Sequence, residues 1–127
     1  MGHIGVLPQS DKTFKFKGKK KSEKENIMRD AKLLEEVGAF CMVLECVETS
    51  LVKQVTKSVS VPTIGIGASN NCDGQILVFD DLIGLNQIKF RFVKKYINIK
   101  REISKAVSKY ASEVKTRKFP SKKYSFN

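Results

Sequence analysis

Tryptophan is absent from these 127 residues, histidine occurs once, and there are only three prolines and three cysteines. No apolar run approaches the roughly 18 residues a membrane span requires, so a helical membrane protein is not expected. Met1–Ser10 lacks both the basic and the apolar region of a signal peptide, which makes a cytoplasmic location the expectation. Cys41, Cys46 and Cys72 form an odd set without the short paired spacing of a zinc knuckle or redox motif. With His3 as the single histidine, a zinc site of cysteine and histidine ligands is not expected either. Reduced, structural thiols are the simpler reading. There is no exact internal repeat and no low-complexity linker, so residues 1–127 read as one domain with a modest core.

What is plentiful is lysine, and the formal net charge is +11. Its distribution decides what it implies. Residues 25–85 carry 4 basic and 9 acidic side chains, whereas residues 1–24 carry 7 and 2, and residues 86–127 carry 13 and 2. The excess therefore sits at the two ends, in the stretch KTFKFKGKKKSEK and in the last third. Basic ends can bind nucleic acid by releasing counterions, but no helix-turn-helix, RNP or zinc-finger pattern accompanies them. Solvated surface charge is the preferred reading, and nucleic acid is not an expected partner.

Hydrophobic period sorts the chain into alternating elements. Ile27, Ala31, Leu34 and Val37 fall at helical spacing over residues 22–37, and Gly38 follows as a stop. AFCMVL, residues 39–44, is a nearly continuous apolar run, as expected of a strand covered on both faces in a parallel sheet. A second helix is expected near residues 49–58 from Leu51, Val52 and Val55. TIGIG then reads as a strand, and QILVF, residues 75–79, as a third buried strand. After Leu85 the pattern turns helical: Phe90, Val93 and Ile97 share a face, and Ile99, Ile103, Val107, Tyr110 and Val114 form a longer stripe. Lys115 to Asn127, with Pro120, reads as irregular. This order is α/β.

Three segments carry candidate chemistry. In VLECVE, Glu45 stands at the end of a buried strand, where parallel α/β proteins gather functional groups. Alternation places Glu45, Val43 and Cys41 on one face, with Leu44, Met42 and Phe40 on the other. A carboxylate above an apolar floor loses hydration and suits proton transfer. The bland alternatives are that Glu45 caps the next helix or faces water. The turn in TIGIGASNNCDGQ offers glycines beside backbone amides, which suit either an anion or simply a tight turn. It lacks a P-loop lysine and a full dinucleotide fingerprint. In GHIGVLPQ, His3 could present an imidazole at a strand end, although a single loop histidine is more often structural.

GHIGVLPQS, DAKLLEEVGAF running into VLECV, VPTIGIGAS with DGQILV, and the closing FP and YSF occur in the order found in ketopantoate hydroxymethyltransferases. The chain resembles that family from Gly2 almost to its end. The resemblance implies the C-terminal half of a (β/α)8 barrel of about 250 residues, roughly strands 6–8 with their helices. His3 would lie at the mouth after the fifth strand and line the substrate pocket. Glu45 would follow the sixth strand as the proton-abstracting base. The IGIGAS turn would follow the seventh, and QILVF would be the eighth. The implied activity is hydroxymethyl transfer from 5,10-methylenetetrahydrofolate to 3-methyl-2-oxobutanoate, in pantothenate and coenzyme A biosynthesis, with Mg2+ as cofactor. The metal-binding aspartates, and the serine and lysine that contact substrate, would lie in the other half, so this chain contributes no metal ligand.

Several positions depart from the family's pattern. Its GGYKVQG loop becomes FKFKGK, Asp80 replaces a histidine, and Leu7 stands where threonine is usual. An open half-barrel exposes strand edges, and a base without its Lewis acid faces a very weak carbon acid. The chain alone is therefore not expected to be a competent enzyme. A separate first half or a homo-oligomer could complete the site, and the alternative is an inactive remnant serving at most as an interaction protein.

Overall fold

A computed structural model describes residues 1–10, 15–87 and 89–126. Asp11–Phe14, which include the start of the lysine-rich stretch and the first residue of FKFKGK, lie outside the described residues, as does Asn127. The chain divides into two compact units, Met1–Leu77 and Val78–Asn127.

The first unit is a parallel sheet of four strands in the order β1 (Gly2–Gly5), β2 (Met42–Glu45), β3 (Thr63–Ile66) and β4 (Gly74–Gln75). Helix α1 (Lys21–Glu36) connects β1 to β2, and α2 (Thr49–Ser58) connects β2 to β3. Both helices form where the spacing predicts them. The amides of Gly18, Lys19 and Lys20 donate to one carboxylate oxygen of Glu23 at 2.9, 3.2 and 3.4 Å, which satisfies backbone donors at the start of α1. Beyond Val37, Gly38 takes φ +85°, the left-handed conformation that ends a helix most readily in glycine. Glu48 caps α2 by accepting from the amides of Ser50 and Leu51, each at 3.1 Å.

One face of the sheet meets these helices. Met42 and Leu44 of β2 and Ile4 of β1 pack with Ile27 and Ala31 of α1 and with Leu51, Val52 and Val55 of α2. Each large aliphatic side chain buried there stabilises the fold by about 1.5–3 kcal/mol. Val43 and Glu45 alternate onto the opposite face of β2, as the sequence predicts, and they too are buried.

The structure corrects the sequence reading at several elements. The apolar run 39–44 begins too early as a strand: Phe40 is 73% exposed, and β2 starts at Met42 and includes Glu45. His3 is inside a strand, β1, which the apolar pattern did not reveal because glycines at 2 and 5 leave only Ile4 as a signal. QILVF is not a buried strand of five residues. Only Gln75 remains in β4, Ile76 and Val78 are half-exposed, and Phe79 opens the short helix α3 (Phe79–Leu82). Phe90, Val93 and Ile97 do not lie on a helix. That stretch is mostly irregular, with one turn at Arg91 and Phe92 in which the Val93 amide donates to the Phe90 carbonyl at 3.1 Å.

The second unit holds α3 and α4 (Ile99–Lys115), the latter covering the longer stripe. No residue of α4 is buried. The tail after it contains a single turn of 3-10 helix at Lys122–Tyr124. Among the described residues, no helix is long and apolar enough to cross a membrane.

Candidate active site

Glu45 ends β2, the strand flanked on one side by β1 and on the other by β3. In register it lies beside Gly5 of β1 and Ile66 of β3. Ile66 and Val43 supply the apolar surroundings, and Glu45 is 7% exposed. Neither bland alternative holds: the carboxylate does not face water, and Glu48 rather than Glu45 caps α2. His3 projects from the same face of the sheet, opposite Val43, and its Nε2 lies 3.1 Å from Glu45 Oε2. The two residues singled out from sequence, 42 positions apart, thus meet because parallel pairing brings their strands into register.

The backbone around the pair is tightly fixed. Gly5 has φ +100°, and a Cβ there would stand 2.2 Å from the Glu45 carbonyl oxygen and 2.7 Å from Val47 Cγ2. That carbonyl accepts the Val6 amide at 2.9 Å. Immediately after Glu45, Cys46 adopts φ +51°, a conformation uncommon outside glycine. It is held there from both sides: its amide donates to Ile66 at 2.9 Å, and its carbonyl accepts the Lys17 amide at 2.8 Å. Lys17 continues into a parallel bridge with Val47, and its carbonyl accepts the Glu48 amide at 2.9 Å. Sequence reasoning missed Gly5, Cys46 and Lys17 as site-shaping residues. The glycine and the VLECV motif are visible in the sequence, but the positive φ and the strand-to-loop bridges are not.

Burial, reinforced by the neighbouring Glu45 carboxylate, pushes the Cys46 thiol up and keeps it protonated. The turn after β3 uses its polar groups internally. Asp73 accepts from the amide and hydroxyl of Thr63 at 2.8 and 2.9 Å, the Asn71 amide donates to Ser69 Oγ, and Gln75 donates to the Ser69 carbonyl. These bonds fix the turn through its own side chains. Asp80 lies in the second unit, exposed in the first turn of α3.

Among the described residues, no three histidine, cysteine, aspartate or glutamate side chains are grouped so as to hold a metal ion. His3 and Glu45 make a pair, which is a donor set suited to moving a proton. The described donors therefore do not by themselves fit a magnesium cage.

A parallel α/β sheet with a buried acid at the carboxyl end of a strand has its polar group where proteins of the α/β class gather functional residues. Comparison with known proteins makes the assignment specific. The family model described as ketopantoate hydroxymethyltransferase matches residues 1–122. A 3-methyl-2-oxobutanoate hydroxymethyltransferase of Pelagibacter ubique is 62% identical over 126 residues, covering 99% of this chain and 49% of that protein. Enzymes of the same name from Clostridium kluyveri and Caulobacter vibrioides are 52% and 49% identical, over 99% and 94% of this chain and 46% and 45% of theirs. The chain belongs to the ketopantoate hydroxymethyltransferase family. It spans about half the length of the curated relatives it matches.

Proposed function

We propose that this chain supplies the proton-abstracting part of a 3-methyl-2-oxobutanoate hydroxymethyltransferase site, with Glu45 as the base and His3 lining the substrate pocket. The observation that carries the reading is the Glu45 carboxylate, 7% exposed at the carboxyl end of β2 and held by the His3 imidazole at 3.1 Å. A partly desolvated carboxylate that is fixed in place is what removal of a proton beside a carbonyl requires. Glu45 takes the C3 proton of the 2-oxo acid, and the C–H electron pair passes into the enolate. The enolate carbon then bonds to the methylene carbon of 5,10-methylenetetrahydrofolate as that carbon's two bonds to folate nitrogens break, water supplies the hydroxyl group, and tetrahydrofolate leaves. Mg2+ is the cofactor in this reading, and its ligands would come from outside the described residues, so no step is assigned to it here. The four parallel strands are read as the second half of a (β/α)8 barrel, closed by a first-half segment or by self-association.

The test is exchange of the C3 proton of 3-methyl-2-oxobutanoate in D2O with Mg2+ present, followed by NMR. In the barrel completed by a first-half segment or by self-association, loss of the C3 proton signal, and its persistence with Glu45→Gln, is the expected result. A completed barrel that leaves the signal untouched would sink the assignment. That outcome would favour the second reading, an inactive remnant acting as an interaction protein. The unburied stripe of α4 is the observation that favours this second reading.

A further inference from the structure

Resting on the reading that 5,10-methylenetetrahydrofolate is the one-carbon donor, we propose that the lysine-rich loop before α1 binds the glutamate tail of that donor. Donors whose tail is extended by several γ-linked glutamates are then the ones this chain prefers. Residues 15–24 hold six lysines and a single acid, Glu23. The loop leaves the carboxyl end of β1, on the same side of the parallel sheet as Glu45 at the end of β2. It is fastened there. The Lys17 amide donates to the Cys46 carbonyl at 2.8 Å, and the Lys17 carbonyl accepts the Glu48 amide at 2.9 Å. Gly18 is buried with φ +93°, and a Cβ there would stand 2.7 Å from Leu51 Cδ2. Glu23 gathers the amides of Gly18, Lys19 and Lys20, so the one acid of the stretch fixes the backbone that carries the lysines.

Lys15, Lys19 and Lys20 are exposed on this fixed backbone, and among the described residues none of them enters an ion pair. The basic residues of α4 differ. Lys105 and Arg101 share Glu102 at 3.0 and 3.8 Å, and Lys109 faces Glu113 at 4.0 Å. Uncompensated charge of one sign beside the site suits a flexible polyanion that is anchored elsewhere. In the folate donor, the glutamate tail is at the end remote from the methylene carbon. With that carbon delivered to the enolate at Glu45, the tail leaves the site across the loops at the carboxyl end of the sheet. Each added γ-linked glutamate leaves one α-carboxylate free, and so brings one more charge to the lysines.

Titration of the isotope-labelled chain with γ-linked pentaglutamate and with free glutamate at low salt, followed by NMR, tests the subsite without turnover. Pentaglutamate should bind at least ~10-fold more tightly than glutamate, with the shifted amides centred on residues 15–24. The advantage should shrink as salt is raised. It should vanish in the triple variant Lys15→Gln, Lys19→Gln and Lys20→Gln at an unchanged melting temperature. Should the triple variant not fold, Lys19→Gln alone decides, with an expected loss of about 2-fold. Equal affinity for the two probes would overturn the subsite, as would shifts centred on residues 100–123 or an advantage that survives the substitutions. A duplex DNA of the same total charge that binds residues 15–24 more tightly than pentaglutamate would overturn it too, and mark a nucleic-acid surface. The proton-exchange test of Glu45 contains no folate and this titration contains no 2-oxo acid, so each proposal fails on its own measurement.

Discussion

Leu44 and Val107 are both aliphatic residues on regular elements predicted from hydrophobic spacing, yet Leu44 is 0% exposed and Val107 is 59% exposed. The contrast extends to the units that contain them. In Met1–Leu77, the strands and two helices bury Met42, Leu44, Leu51, Val52 and Val55 together. In Val78–Asn127, the stripe of α4 leaves Ile103, Val107 and Tyr110 about half exposed. Charge divides the same way: residues 1–77 carry 11 basic and 9 acidic side chains, and residues 78–127 carry 13 and 4. Helix α4 is stabilised locally, by the Asn98 side chain capping the Arg101 amide at 3.2 Å and by surface pairs such as Lys105–Glu102 at 3.0 Å. An amphipathic pattern thus specifies a helix, but it specifies burial only where a second element supplies the other wall of the core.

The largest expected effect follows from that difference. Leu44→Ala should cost about 2–5 kcal/mol in urea unfolding, because it empties a closed site between the sheet and both helices. Val107→Ala should stay within about 0.5 kcal/mol, as an exposed position does. Equal losses at the two positions would show that α4 has a buried face in solution and would break the comparison.

A smaller loss is expected inside the first unit, at Gly5. Alanine there must adopt a left-handed φ, at about 1–3 kcal/mol, and its Cβ would press on the Glu45 carbonyl oxygen from 2.2 Å. The melting temperature should fall, and the environment of His3, followed by its imidazole NMR signals, should change with it. An unchanged melt and unchanged His3 signals would mean that β1 and β2 do not approach as closely as described.

Much of the first unit was legible in the sequence. The helices around Ile27–Leu34 and Leu51–Val55 have strong period, and β2 and β3 are apolar enough to announce themselves. Glu45 stood out because a carboxylate ends an apolar run. The register that delivers His3 to it was not legible. A four-residue strand with two glycines has almost no pattern, and only pairing across the sheet gives it one. QILVF failed for the converse reason. Its composition is that of a buried strand, but the ladder with β3 ends at Gln75, and Ile76 and Val78 are each left 50% exposed. Likewise, Phe90, Val93 and Ile97 match a helical period over a stretch whose backbone is mostly irregular, so the period alone does not make a helix.

The smallest effect concerns acid. Glu23, Glu35, Glu48 and Asp73 all lie in Met1–Leu77, and hydrogen bonds hold each of their carboxyl groups below its ordinary value. For Asp73 the chief cause is the Thr63 amide, followed by the Thr63 hydroxyl. These bonds tie the start of β3 to the turn that leads into β4. A depressed folded value means that the carboxylate form is preferred in the native state. Its contribution is therefore fully present above the unfolded value, about 3.9 for aspartate, and is lost as pH falls through the lower folded value. Asp73→Asn keeps an oxygen that can accept from Thr63 but removes the ionisation. The native chain should exceed this variant in stability at pH 6–7, and the gap should close on acidification below about pH 4. Denaturant unfolding of both proteins across that range measures the gap. A difference that stays constant with pH would show that the Thr63–Asp73 contact acts by shape alone and adds no proton linkage to the first unit.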